Sequence, residues 1–150
     1  MRKNKTFESL IDKSIGSMLS AIEIYNKPDF KYREETFAIL AVNSWELLLK
    51  ARIFQLGNYR INTIYCYKLY VNKRGEKSTK KKVLDRNRCD NPKTISIFEA
   101  LKRLDIQNEI PKNLKDNIES LIEFRDNAIH FINMSKFSNP IQELGFACIK

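Results

Sequence analysis

The chain has 150 residues and a mass of 17.7 kDa, the size of one domain, long enough to bury roughly 68–70% of its unfolded surface. It is 43% hydrophobic and 30% charged with four glycines and four prolines, which excludes a disordered chain, a collagen-like repeat or a Gly/Pro-rich β-sandwich. Lys and Arg outnumber Asp and Glu by 27 to 18, and residues 68–93 alone hold ten basic side chains against three acidic ones. That segment carries +7 and the rest of the chain +2. Such a block is the electrostatic footprint of a phosphate-rich partner; the plainer alternative is a solvated loop.

The longest apolar run, Phe37 to Val42, is far short of the ~20 residues of a membrane-spanning helix. The basic start meets Glu8, Asp12 and Lys13 without a continuous apolar stretch, so no secretory signal is expected. Three cysteines at wide spacing (Cys66, Cys89, Cys148) argue against a disulfide scaffold or a zinc site. The chain reads as a soluble cytosolic protein.

Apolar residues at Phe7, Leu10, Ile11, Ile15, Met18, Leu19 and Ile22 mark one face of a helix from about Thr6 to Tyr25, with Thr6 as its N-cap. Asn26-Lys27-Pro28-Asp29 ends it. A second helix is expected from Arg33 to Leu56, stopped at Gly57. Its apolar residues point in nearly every direction, as in a central, buried helix. After Gly57 the period changes. Aromatic and β-branched residues over Ile64–Val71, a polar stretch centred on Arg74-Gly75-Glu76 and then Val83-Leu84 suggest a short basic β-hairpin or an irregular excursion. Ser96 and Glu99 have capping-box spacing ahead of Ala100, Leu101 and Leu104. Asn108 to Pro111 breaks the chain, and a long amphipathic helix then runs from Asn113 to about Phe131 or Met134. Asn139-Pro140 can start a last helix, still apolar at Lys150, as in a domain excised from a longer protein. The expected fold is an all-α bundle with a basic excursion at residues 60–93.

Gly-rich phosphate loops, a Gly-x-Ser-x-Gly elbow and paired metal-ligating histidines are all missing from the sequence. Imidazole chemistry must therefore run through His130, the single histidine. At helical spacing Asp126 and His130 share a face, where a carboxylate can support an imidazolium, and the long Arg125 side chain can reach back over the same groove. An Arg to hold a phosphate and a His to move a proton are the parts needed for RNA cleavage by its own 2′-hydroxyl, a route that requires no metal. The plainer reading is a surface histidine beside a helix-face salt bridge. Transesterification uses both a base and an acid, so one imidazole per chain points to a two-fold contact that brings two together, unless Asp126 or a lysine fills the second role.

The run Arg125-Asp126-Asn127-Ala128-Ile129-His130 resembles the signature of the HEPN superfamily, in which an Arg, a polar residue, a few further residues and a His lie on a late helix of an α-bundle. The stretch Asn43-Ser44-Trp45-Glu46-Leu47-Leu48-Leu49-Lys50-Ala51 is similar to the apolar helix with an embedded acidic residue in such domains. The resemblance implies one HEPN-like bundle of four to five helices over residues 1–150, with residues 60–93 as an insertion. It also implies a homodimer with metal-independent endoribonuclease activity, no cofactor, and RNA as substrate. Arg125, Asp126, Asn127 and His130 would form the catalytic set. Such domains often act as toxins or in anti-phage defence, beside an antitoxin or a fused partner domain, and some are non-catalytic.

Glu46 has two readings: a structural i, i+4 pair with Lys50, or a groove residue bonded to Arg125 or His130. In the basic segment Lys73, Arg74, Lys80, Lys81, Lys82, Arg86 and Arg88 are the candidate phosphate contacts. Tyr65, Tyr67 and Tyr70 are interleaved with Lys68. Such tyrosines more often pack a hairpin against its bundle; base stacking is the alternative.

Overall fold

The computed structural model describes residues 4–130, with side chains through residue 128. The expected last helix from Asn139-Pro140, and Cys148, lie outside the described residues. Four helices are described, α1 (Lys5–Tyr25), α2 (Arg33–Leu56), α3 (Ile97–Ile106) and α4 (Lys112–His130). Between α2 and α3 come a 3-10 turn at Ile61–Thr63 and two antiparallel strands, β1 (Tyr67–Val71) and β2 (Lys77–Leu84). The described part of the chain is thus mainly α-helical with one small hairpin. Among the described residues, no helix is long and apolar enough to cross a membrane.

The helix that is apolar all round is the central one: α1, α3 and α4 all pack on α2. Small residues let α1 approach it closely. Buried Ser14 and Ser44 exchange hydroxyl-to-carbonyl hydrogen bonds at 2.9 and 2.8 Å, and Ser17 donates to the Leu40 carbonyl at 2.8 Å. On α4 the buried side chains Ile118, Leu121, Ile122 and Ala128 recur at helical spacing and close the core with Val42, Phe54, Leu101 and Leu104. Each large side chain so buried contributes about 1.5–3 kcal/mol.

The helix ends show which local signals prevail. The α1 cap is Asn4 rather than Thr6: Asn4 Oδ1 accepts from the Thr6 and Phe7 amides at 3.1 and 3.2 Å. A carboxamide just ahead of the first turn satisfies two otherwise unpaired donors, leaving Thr6 inside the helix. Gly57 does cap α2, but at φ −79° it needs no left-handed freedom. The left-handed residues are the next two, Asn58 (φ 53°) and Tyr59 (φ 57°). Tyr59 is held there by its amide bond to the Phe54 carbonyl at 2.8 Å and by edge-on contacts with the Phe7 and Phe54 rings. Gly57 serves close approach instead, since a Cβ would stand 2.3 Å from Thr63 Cγ2. At α3 the Ser96 hydroxyl accepts from the Glu99 amide, while the Glu99 carboxylate turns forward to Arg103 and leaves the capping box half made.

The excursion is closed at its base by backbone. The Ile95 amide donates to the Ile64 carbonyl at 2.9 Å, and both side chains are buried in the core. One step outward, Cys66, Asp85 and Lys93 form a ring of amide–carbonyl bonds between 2.8 and 2.9 Å. Beyond that neck the two strands pair in the register Tyr67–Leu84, Lys68–Val83 and Leu69–Lys82, with an irregularity before Val71–Lys77. Every residue of β1 is exposed. The hairpin stands off the bundle and does not pack on it.

Candidate nucleic-acid interface and the α4 motif

Three carboxylates compete for the cations of the basic segment, and each has already found a partner. Asp85 binds Lys93 at 2.9 Å and Lys68 at 3.2 Å, Asp90 binds Arg86 at 3.3 Å, and Glu76 accepts from the Asn72 carboxamide at 2.8 Å. The two lysines, Lys93 foremost, hold the Asp85 carboxyl below its usual range. Among the described residues, Lys73, Arg74, Lys77, Lys80, Lys81, Lys82 and Arg88 form no ion pair. The sequence-based set therefore gains Lys77, while Arg86 is engaged by the Asp90 carboxylate and also by its carbonyl.

The expectation that the tyrosines pack the hairpin onto the bundle fails for two of the three. Tyr67 and Tyr70 are 44% and 36% exposed; Tyr65, below the strands, is half-buried and bridged to Thr94. No strand side chain belongs to the core, and every β1 residue faces solvent, while Val83 and Leu84 at the end of β2 are half-buried. The Lys81 ammonium sits 4.4 Å over the Tyr70 ring, a cation–π contact that fixes both groups on one face.

On α4, Arg125 and Asp126 are half-buried and bound to each other. Arg125 Nε donates to Asp126 Oδ1 at 2.9 Å, and Nη2 is ion-paired with the same oxygen at 2.7 Å. The guanidinium therefore meets the neighbouring carboxylate instead of reaching back along the helix. Asn127 is exposed, and His130 is the last residue of α4, its side chain lying outside the described ones.

Glu46 is bonded to Lys50 and shares no hydrogen bond with Arg125. Lys50 is 6% exposed, and its ammonium also donates to Thr94 Oγ1 at 2.9 Å. This triad pins α2 to the segment that leads from the hairpin into α3. Among the described residues no group of three His, Cys, Asp or Glu side chains is placed to hold a metal.

These features define a class: a mainly helical domain that carries a basic hairpin on a braced neck. Residues 9–150 match the family model described as Domain of unknown function (DUF3644), and the chain belongs to that family. No curated protein and no solved structure matches it.

Proposed function

We propose that this domain is a HEPN-like endoribonuclease that cleaves single-stranded RNA without a metal, at a cleft between two copies of the chain. The observation that carries the reading is the placement of Arg125 on α4, half-buried in a fork with Asp126 and little more than one turn before the single histidine. A guanidinium held this way can exchange a carboxylate oxygen for a phosphate oxygen without moving far.

In the proposed reaction the 2′-oxygen attacks the adjacent phosphorus as its proton passes to a base. The O2′–P bond forms, the P–O5′ bond breaks, and an acid protonates the departing 5′-oxygen. Arg125 offsets the charge that builds on the phosphoryl oxygens. His130 of each copy would supply the base and the acid. Such a domain would suit a toxin or an anti-phage effector, working beside an antitoxin or a fused partner.

A second reading, a non-catalytic nucleic-acid-binding or dimerisation module, is favoured by one observation: the Arg125 guanidinium already has its counter-ion. The two are separated by His130→Ala and Arg125→Ala with single-stranded RNA in excess EDTA. For the enzyme, His130→Ala lowers the cleavage rate roughly 10²–10⁴-fold with RNA affinity nearly unchanged, and Arg125→Ala lowers both. For the module, the wild-type chain cuts nothing.

A further inference from the structure

The two faces of the hairpin differ in what they offer. Directly opposed residues of an antiparallel pair share a face. Within the regular part of the ladder one face therefore carries Tyr67 and Leu69 along β1, with Leu84 and Lys82 opposite them on β2. Tyr67 and Leu69 are 44% and 41% exposed although aromatic and apolar, and Lys82 forms no ion pair among the described residues. The other face carries Lys68, Val83 and Tyr70, where Lys68 is tied to Asp85 and the Tyr70 ring is already covered by Lys81. Of the two, the first face presents an uncovered ring beside an uncommitted cation, Lys82.

We propose that this face, Tyr67 and Leu69 beside Lys82, is a binding site for single-stranded nucleic acid. Bases lie over Tyr67 and Leu69, and the backbone phosphate beside them meets Lys82. A single strand has the same split, with flat apolar bases on one side and a charged backbone on the other. A duplex hides its bases and can use the lysine alone. Tyr67 stacks because its ring is open, and stacking tolerates any base. Tyr70 has a different part, holding Lys81 in place on the reverse face. The choice of nucleic acid as partner rests on the reading above. The site itself does not involve Arg125 or His130.

The test uses the full chain and labelled oligodeoxythymidine, which lacks the 2′-hydroxyl and cannot be cut by the proposed route. Tyr67→Ala should weaken binding roughly 5- to 150-fold, and Tyr67→Phe, which keeps the ring, should restore it. Tyr70→Ala should weaken it less than Tyr67→Ala. Lys82→Gln should flatten the log–log salt dependence by about 0.7, the loss of one neutralised phosphate. The hairpin stands off the core, so circular dichroism melting should be unchanged in every variant. Equal binding by wild type and Tyr67→Ala would overturn the proposal. So would duplex DNA or polyglutamate competing as well as oligothymidine, which would make the arm a surface for acidic partners in general. Failure of the wild-type chain to bind oligothymidine, with EDTA-resistant RNA cleavage intact, would remove this site and leave the nuclease reading standing. Binding without cleavage would do the reverse.

Discussion

Arg125 and Asp126, neighbours in sequence, are joined side chain to side chain, Nε donating to the carboxylate oxygen that Nη2 also approaches as an ion pair. Such a pair holds the guanidinium beside the neighbouring residue. A phosphate must compete with Asp126 for these donors, which makes the carboxylate a negative contributor to RNA affinity.

Asp126→Asn should therefore bind RNA more tightly. Exposed or half-exposed ion pairs contribute up to ~1 kcal/mol, so the gain is at most about fivefold, and unfolding free energy changes by no more than ~1 kcal/mol. Filter binding of the variant to a 2′-deoxy-substituted strand measures the effect without cleavage. Weaker binding by Asp126→Asn would show that the carboxylate orients Arg125 for the phosphate and does not compete with it.

The neck of the hairpin should loosen in acid. Hydrogen bonds from Lys93 and then Lys68 lower the Asp85 pKa from its ordinary value of 3.8. With the folded value below the unfolded one, the stabilisation is complete above pH 3.8 and is lost as pH falls through the folded pKa. Protection of the Asp85 and Lys93 amides against hydrogen exchange should drop on that acid limb. In Asp85→Asn it should be lower at neutral pH and flat across the same window. Lys115 behaves oppositely: its hydrogen bond to Asp105 raises its pKa above 10.5, so that pair acts below this value and fades only in strong alkali.

Gly57 is tested through its neighbour. Gly57→Ala drives a methyl group into Thr63 Cγ2, whose own hydroxyl is fixed on the Arg60 carbonyl at 2.7 Å. Overpacking of this kind costs about 1–3 kcal/mol, read from urea unfolding. Thr63→Ser removes the closest methyl, so the double variant should recover part of the loss and be non-additive. Full additivity would mean that the backbone, rather than Thr63, sets the requirement for glycine.

Much of the helical frame was legible because it rests on local periodicity. The ends of α2 fell at Arg33 and Leu56 as its pattern suggested, since Gly57 and the change of period coincide there. The hairpin was legible for the same reason, from β-branched and aromatic runs around Arg74-Gly75-Glu76. The Asn4 cap was missed because Thr6 is an equally good cap by type, and only the backbone decides between them. At the candidate site, composition revealed the basic block but not which cations are free. That depends on the amide ring joining Cys66, Asp85 and Lys93, which brings Lys68 and Lys93 to one carboxylate across a long stretch of chain. The exposure of Tyr67 was illegible too, because it reflects what the hairpin fails to touch. For Glu46, the i, i+4 pair with Lys50 was readable from spacing; its third member, Thr94, was not.

The most direct measurement is the 3′-end chemistry of single-stranded RNA incubated with the chain in excess EDTA. Attack by the 2′-hydroxyl leaves 2′,3′-cyclic phosphate ends, and a single 2′-deoxy substitution at the cut site abolishes that cut. Cleavage of the deoxy-substituted site, 3′-hydroxyl ends, or arrest by EDTA would contradict the proposed transesterification through Arg125 and His130.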